Sequence, residues 1–173
     1  KDINKISEDL GLLLFDADND KDLDLYVVSG SIESQDENVY QDRLYVNDGS
    51  GVFNLNADAL PEISASGSCV RGADYDGDGD IDLFVGGRVV PASYPAAARS
   101  YVLNNDRGKF TDVTATVCPE LDSLGMITDA LWSDLNSDGK VDLVVVGEFM
   151  PITFFTNENG KLTNVGDSGI NQL

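Results

Sequence analysis

Three short apolar runs lie at nearly equal intervals along the chain, at 25–28, 83–85 and 143–146. Each run is apolar at consecutive positions rather than at every second one, which predicts a β-strand covered on both faces. A loop rich in aspartate precedes each run, and another short apolar strand precedes each loop. No segment shows a sustained period of 3.6 residues, so the pattern predicts an all-β protein.

A second pattern follows each apolar run, consisting of a strand, a polar turn and another strand. It reads LYVNDGSGVFNL at 44–55, YVLNNDRGKFTDV at 101–113 and FFTNENGKLTNV at 154–165. Asn, Asp and Gly between two apolar segments are typical of a β-hairpin. Each repeat therefore holds four short strands, and a repeat of this size is typical of a β-propeller blade.

The repeats divide the chain as one domain over 1–173. We expect blades at 11–62, 67–121 and 125–173, with residues 1–10 forming the end of a preceding blade. Propellers have four to eight blades, so three blades predict either a fragment of a longer propeller or a partial propeller that covers its sheet edges by self-association.

The charge of the chain is strongly acidic. There are 31 Asp and Glu residues against 11 Lys and Arg residues, a net charge of -20, and no histidine. Such a charge repels nucleic acid and anionic membrane surfaces. The absence of histidine excludes a Ser-His-Asp triad and a His-ligated metal site in this chain. No apolar run is long enough for membrane insertion, whereas the 42% of hydrophobic residues is enough for a core.

Two cysteines, Cys69 and Cys118, have a spacing that matches no zinc or redox motif. Small buried hydrophobic residues are the favoured interpretation. A single disulfide stays open as the alternative in an oxidising compartment.

The aspartates of the second loop, which reads DYDGDGDID at 74–82, stand at alternate positions. Oxygen atoms at positions 1, 3 and 5 converge when the chain curls around a point, and glycine at position 6 permits a positive φ. A carbonyl at position 7 and a carboxylate at position 9 would complete a shell of hard oxygen ligands, which Ca²⁺ prefers. An acidic surface turn without metal is the alternative, although its carboxylates would repel one another.

An EF-hand is excluded, because position 12 of that loop is Glu and its flanks are helices. Position 12 here is Val27, Val85 or Val145, and the flanks are strands. The second loop is the cleanest copy. The first has Lys21 where the others have Gly, so that Asn19 is expected to take the left-handed position instead, and the third has Asn136 in place of Asp.

The loop pattern D-x-D-x-D-G-x-[ILV]-D-L and the hairpins that follow it resemble FG-GAP/VCBS repeats, which form the propellers of integrin α-subunits and of the cartilage acidic protein (ASPIC/UnbV-associated) group. The stretch GGRVVPASYPAAARSYVLNNDRGKFTDVT is most similar to secreted envelope proteins of Bacteroidetes-like bacteria. The resemblance covers nearly the whole chain. It implies a complete propeller of seven or eight blades and an extracellular, cell-surface or periplasmic location.

The resemblance also implies up to three Ca²⁺ sites. Side chains at positions 1, 3, 5 and 9 and the carbonyl at position 7 would be the ligands. They are Asp16, Asp18, Asp20, Asp22 and Asp24; Asp74, Asp76, Asp78, Asp80 and Asp82; and Asp134, Asn136, Asp138, Lys140 and Asp142.

The face opposite these loops receives the connections at 29–43, 86–99 and 147–152. They are expected to expose Tyr40, Arg88, Tyr94 and Phe149, which are candidates for ligand binding. Capping of the blades by Tyr94 and Phe149 is the alternative.

Two functions follow from these expectations. The first is a non-catalytic binding or adhesion module, stabilised by calcium, for a protein or glycan ligand. The alternative is part of a calcium-dependent polysaccharide lyase or another carbohydrate-active enzyme. A lyase would need an open calcium position beside a Lys, Arg or Tyr base, and the basic residues form no catalytic cluster in the sequence.

Overall fold

The computed structural model describes residues 7–166, and these form three four-stranded antiparallel sheets. Blade 1 consists of β1 (Asp9–Phe15), β2 (Asp24–Ser29), β3 (Arg43–Asn47) and β4 (Phe53–Leu55). Its strands pair in chain order, so each strand is antiparallel to the next along the chain.

Blades 2 and 3 repeat this topology. Blade 2 consists of β5 (Gly67–Ala73), β6 (Asp82–Gly87), β7 (Tyr101–Asp106) and β8 (Lys109–Asp112). Blade 3 consists of β9 (Met126–Ser133), β10 (Asp142–Glu148), β11 (Thr153–Asn157) and β12 (Leu162–Asn164). The first strands lie side by side, β5 between β1 and β9, so blade 2 is the middle blade.

The helical content of the described residues is small. It comprises one α-helix, α1 (Thr114–Val117), and the 3-10 helices Glu37–Tyr40 and Pro119–Asp122. The all-β prediction of three four-stranded propeller blades is confirmed. Of the segment predicted to end a preceding blade, residues 1–6 lie outside the described residues, as do residues 167–173 of the third repeat, and the last two residues of the 1–10 segment belong to β1.

Two apolar clusters hold the blades together. Between blades 1 and 2, alternate residues of the central strands meet, among them Tyr26 and Val28 of β2 with Leu83 and Val85 of β6. Between blades 2 and 3, Phe84 from the other face of β6 packs in a cluster with residues of β10 and β11. The prediction of a strand covered on both faces is therefore confirmed for β6, which is buried along its whole length.

The outer face of blade 1 differs, since no described blade packs on it. Leu10, Leu12 and Leu14 of β1 point there and are 50%, 68% and 49% exposed. In blade 2 the equivalent face packs on blade 1: Val70, the residue equivalent to Leu12, is fully buried in the cluster between the two blades. The exposed leucines thus form an apolar sheet face of the kind that packs against another blade.

The two cysteines are free and buried, and both pack in the cluster between blades 2 and 3. Burial raises the pKa of the Cys69 thiol, and burial together with Glu120 raises that of Cys118 to about 11. Their interpretation as small buried hydrophobic residues is confirmed.

Candidate functional site

The aspartate-rich loops join the first two strands of each blade, and all three lie at the same end of the sheets. We name them loop 1 (residues 16–24), loop 2 (74–82) and loop 3 (134–142), and number their positions 1 to 9. Position 9 is the first residue of the following strand. Its aspartate, Asp24, Asp82 or Asp142, is fully buried, whereas the acidic side chains before it in the loop lie nearer the surface.

Loop 2 curls because its own carboxylates accept backbone N–H groups further along. The Asp74 carboxylate accepts from the N–H of Gly79 at 3.1 Å, Asp76 from Asp78 at 3.2 Å, and Asp78 from Asp80 at 2.9 Å. The same three bonds recur in the other loops, where the N–H groups of positions 6, 5 and 7 donate to the side chains of positions 1, 3 and 5. In loop 1 the donor and acceptor pairs are Lys21–Asp16, Asp20–Asp18 and Asp22–Asp20. In loop 3 they are Gly139–Asp134, Asp138–Asn136 and Lys140–Asp138. The backbone therefore curls in the same way in all three copies.

Position 6 is left-handed in every loop, and so is position 4. In loop 1 these are Asn19 with φ 65° and Lys21 with φ 78°, and in loop 2 they are Gly77 and Gly79 with φ 83° and 99°. Asn19 takes the expected left-handed conformation, but Lys21 takes it as well. The expectation that Asn19 spares Lys21 is wrong, because the curl needs two positive φ angles.

The buried aspartate at position 9 ties each loop to its sheet. In loop 1, the two oxygens of Asp24 accept the N–H groups of Ala17 and Asn47, both at 2.9 Å. In loop 2, Asp82 accepts the N–H groups of Tyr75 and Asn105. In loop 3, Asp142 accepts those of Leu135 and Asn157. Position 9 thus joins the start of its loop to the end of the third strand of the same blade.

Two loops each bring three carboxylates together, with one oxygen of each within 4.8 Å of the other two. The trio of loop 1 is Asp16, Asp18 and Asp24, and that of loop 2 is Asp74, Asp76 and Asp78. No such acidic trio forms in loop 3, all of whose residues the structure describes. There the amide of Asn136 lies beside Asp138 and donates to it at 3.3 Å. Loops 1 and 2 could therefore hold a metal with three carboxylates each.

The electrostatics of these trios favour a cation. Burial and the neighbouring carboxylates, chiefly Asp20, raise the pKa of Asp18, and burial with Asp78 and Asp74 raises that of Asp76. Burial, and then the charge of Asp76, raise the pKa of Asp82 to about 7. In loop 1 a buried oxygen of Asp16 has no hydrogen-bond partner. An unpaired buried carboxylate oxygen among like charges fits an oxygen-ligated cation.

A third set of residues escaped the sequence analysis, although the hairpin patterns contained it. Asn47 and Asn157 are the last residues of β3 and β11, and Asn105 is the next-to-last residue of β7. The sequence shows an Asn at this place in every copy, but the hairpin pattern alone indicates only a turn residue. Its side chain is hydrogen-bonded to the backbone of the aspartate-rich loops.

The opposite face brings three of the four proposed ligand residues together. Tyr94 and Phe149 form an edge-to-face pair with ring centroids 6.1 Å apart, and beside them Arg88 pairs with Glu148. Tyr94 is 64% and Phe149 77% exposed. These contacts join the loops of blades 2 and 3.

Tyr40 lies elsewhere, and the expectation that it is exposed is wrong. Its side chain is 1% exposed because the 3-10 helix that ends with it folds inwards, and its hydroxyl donates to the carbonyl of Ser34 at 2.6 Å. It still lines a cavity of about 340 Å³ between blades 1 and 2. Tyr101 lines the same cavity, with the guanidinium of Arg99 stacked 4.6 Å from its ring centre.

In the part of the chain that the structure describes, no helix has the length and the apolar composition needed to cross a membrane.

Comparison with known proteins agrees with the repeat pattern. Residues 16–85, which span loops 1 and 2, match the family model described as an FG-GAP-like repeat. No curated protein matches the chain significantly. FG-GAP repeats are typically non-catalytic, often bind Ca²⁺ and are typical of extracellular proteins. The match, together with three blades of one topology, supports an FG-GAP repeat protein.

Proposed function

We propose that this protein is a calcium-stabilised extracellular β-propeller that acts as a non-catalytic binding or adhesion module for a protein or glycan ligand. The observation that carries the binding role is the exposed pair of Tyr94 and Phe149, displayed across two blades on the face opposite the acidic loops. The acidic loops carry the calcium role.

Calcium would be held by the side chains of positions 1, 3, 5 and 9, with the carbonyl of position 7. The support is the converging carboxylates of loops 1 and 2 and the unpaired buried oxygen of Asp16. The ion would supply positive charge where the aspartates repel one another. Loop 3, with Asn136 in place of a carboxylate, would be the weakest of up to three sites.

Phe149 supports the ligand face because its backbone is strained. It has a φ of 59°, a left-handed conformation that is rare for a bulky residue, and its ring is turned to solvent rather than into the core. Strain of this kind is concentrated at functional sites, and exposed aromatic residues on a rigid scaffold are frequent energetic centres of binding. The cavity lined by Tyr40 and Tyr101 extends the same face towards blade 1.

The proposal extends to the source, the location and the self-association of the protein. An envelope or secreted protein of Bacteroidetes-like bacteria, related to the integrin-like or cartilage-acidic-protein group, would fit the sequence pattern. A cell-surface or periplasmic location would supply calcium. Self-association through the exposed leucines of β1 is expected if three blades are the whole chain, because a large apolar sheet face favours contact with another surface.

The lyase alternative has weaker support. Tyr75, the tyrosine within loop 2, is buried, and its pKa is raised above the ordinary value by burial and by Asp82, Asp76 and Asp78. A tyrosine must ionise before it can take a proton, so this environment makes it a poor base. Incubation with pectic or glycosaminoglycan substrates, followed at the absorbance of unsaturated uronate, tests the alternative directly.

The binding proposal is tested with Tyr94→Ala and Phe149→Ala on a glycan array and against immobilised extracellular proteins. Both variants should lose the signal of the wild-type protein while melting at nearly the same temperature. The matched control is Phe53→Ala, which removes another exposed aromatic ring, in the hairpin of blade 1. Binding that survives both ligand-face substitutions, or that Phe53→Ala weakens equally, contradicts the proposed face.

A further inference from the structure

Asn105, the next-to-last residue of β7, connects the aspartate-rich loops of two blades. The Asn105 side chain donates to the carbonyl of Ala17, position 2 of loop 1, at 2.9 Å. It also donates to the carbonyl of Ile81, position 8 of its own loop 2, at 3.1 Å, and accepts the N–H of Gly108. Asn105 is only 1% exposed. Both N–H donors of the amide and its oxygen thus have partners, in a buried place between two loops.

Asn157 repeats the arrangement between blades 3 and 2. It donates to the carbonyl of Tyr75, position 2 of loop 2, at 2.6 Å and to that of Val141 in its own loop at 3.0 Å. It too is 1% exposed. A buried amide that bridges neighbouring loops in the same way twice is a built feature of the repeat, since an unpaired amide or carbonyl there would be costly.

Both ends of each bridge are held by the buried aspartate at position 9. At one end, the N–H of Ala17 is bound by Asp24 of loop 1. At the other end, the N–H of Asn105 is bound by Asp82 of loop 2 at 2.8 Å. A continuous chain of hydrogen bonds therefore runs from Asp24 through Ala17 and Asn105 to Asp82. It continues through Tyr75 and Asn157 to loop 3.

We propose that Asn105 and Asn157 couple the metal loops, so that calcium bound in one loop favours binding in the next. This inference rests on the proposed calcium sites. An ion in loop 1 would hold positions 1 to 9, and with them the carbonyl of Ala17. Asn105 is then anchored, and Asp82 is held in the orientation in which it can serve loop 2. Coupling between two sites of this kind acts equally in both directions.

The test measures Ca²⁺ binding by calorimetry in a thermodynamic cycle. The parent carries Asn19→Gly, because Asn19 also bonds to Asp80 across the loop surface and glycine fits its positive φ. Disabling loop 1 with Asp16→Ala should weaken calcium binding at loop 2 by about fivefold or more. With Asn105→Ala already present, disabling loop 1 should change the affinity of loop 2 no further.

Asn47→Ala is the matched control. Asn47 makes the same bonds within blade 1, to the carbonyl of Leu23 and the N–H of Gly51, but among the described residues it bridges to no other blade. Its replacement should leave the coupling between loops 1 and 2 unchanged. If Asn105→Ala does not fold, Asn105→Asp keeps the size and the acceptor while removing the donor to Ala17.

Trp132 reports on loop 2 independently of calorimetry. It is the single tryptophan of the chain and stacks on Tyr75, position 2 of loop 2, with ring centres 5.9 Å apart. Its fluorescence should follow calcium binding there. A loop 2 affinity in the parent that is indifferent to Asp16→Ala overturns the coupling but not the calcium sites. A protein that binds no calcium at all overturns both.

Discussion

Asp42 is a buried carboxylate outside the aspartate-rich loops, and it makes the stability of the fold depend on pH. It follows the 3-10 helix of blade 1 and is 3% exposed. Its oxygens accept from the hydroxyl of Tyr26 and from the N–H of Ser29, both at 2.7 Å. Burial raises the pKa of Asp42 to about 7, more than these bonds and the neighbouring Arg43 lower it.

The sign of the effect follows from this direction. The folded protein holds the Asp42 proton more tightly than the unfolded chain, whose carboxyl has a pKa of 3.8. The contribution of Asp42 to the free energy of unfolding is therefore fully present below pH 3.8 and is lost as the pH rises through about 7. A pKa difference of about three units corresponds to a loss of about 4 kcal/mol over that range.

Asp42→Asn removes this loss. Its amide keeps the size of the carboxyl, its oxygen can still accept from Ser29, and its NH₂ group can donate to the Tyr26 oxygen. In urea titrations, we expect the variant to be close to the wild-type protein in stability at pH 4 and clearly more stable at pH 8. The titrations are run with EDTA and again with excess Ca²⁺, so that any effect of calcium binding in the loops is seen separately.

The difference between the two proteins isolates Asp42 from the loops, since both contain the same loops. Parallel curves of unfolding free energy against pH would refute the argument, because Asp42 would then be ionised at ordinary cost in the folded protein.

Three further predictions concern the loops and the blade interface. EDTA should lower the melting temperature and excess Ca²⁺ should restore it, since an ion at 100 times its Kd stabilises a site by about 2.7 kcal/mol; an unchanged melt contradicts the calcium sites. Lys21→Gly should stabilise loop 1 by up to about 1 kcal/mol, because it relieves a positive φ that costs a non-Gly residue roughly 1–2 kcal/mol, and Gly79→Lys should do the reverse in chemical denaturation. Phe110→Ala should lower the free energy of unfolding by about 3–5 kcal/mol, because the ring of Phe110 is buried against Phe15. Phe53→Ala, at the equivalent position of blade 1, should lower it far less, because Phe53 is 42% exposed.

The fold could be predicted because its signals are local and occur three times. The apolar run in β6 stands between an acidic loop and a hairpin, and the structure buries it on both faces as the pattern required. The pattern predicts that β2 and β10 are also covered on both faces, but the described blades cover only one face of each. Their sequences are equally apolar, but Leu25 and Val144 remain partly exposed because each lies on a face that no described blade covers.

The site could be predicted only as far as it is contained in one segment. The curled loops follow from spacing, whereas the pairing of Tyr94 with Phe149 depends on how two blades meet. The asparagine bridges escaped for the same reason: Asn105 and Ala17 are 88 residues apart, and nothing in either hairpin or loop alone indicates the contact. The burial of Tyr40 depends on a 3-10 helix within its loop, which the sequence pattern does not indicate.

The sequence also presents the loop aspartates as equal ligands, and the structure separates them into two kinds. Asp76 lies on the exposed part of loop 2, and without calcium its charge is repelled by Asp78 and Asp74. Asp82 is fully buried and binds the N–H groups of Tyr75 and Asn105. In EDTA, Asp76→Asn should therefore leave stability unchanged or slightly raised, because it removes a repelled charge.

Asp82→Ala should destabilise the protein with or without calcium, because it leaves two buried N–H groups unpaired at about 1–3 kcal/mol each. Urea unfolding in EDTA separates the two variants, and calcium titration should then find both of them weakened at loop 2. If the two behave alike in EDTA, the buried aspartate is not the structural clamp that its hydrogen bonds indicate. If only Asp82→Ala is destabilised in EDTA and calcium binding at loop 2 is weakened, Asp82 both joins the loop to the sheet and acts as a ligand of the proposed ion. That double role would explain why the acidic loop and the blade recur together in every repeat.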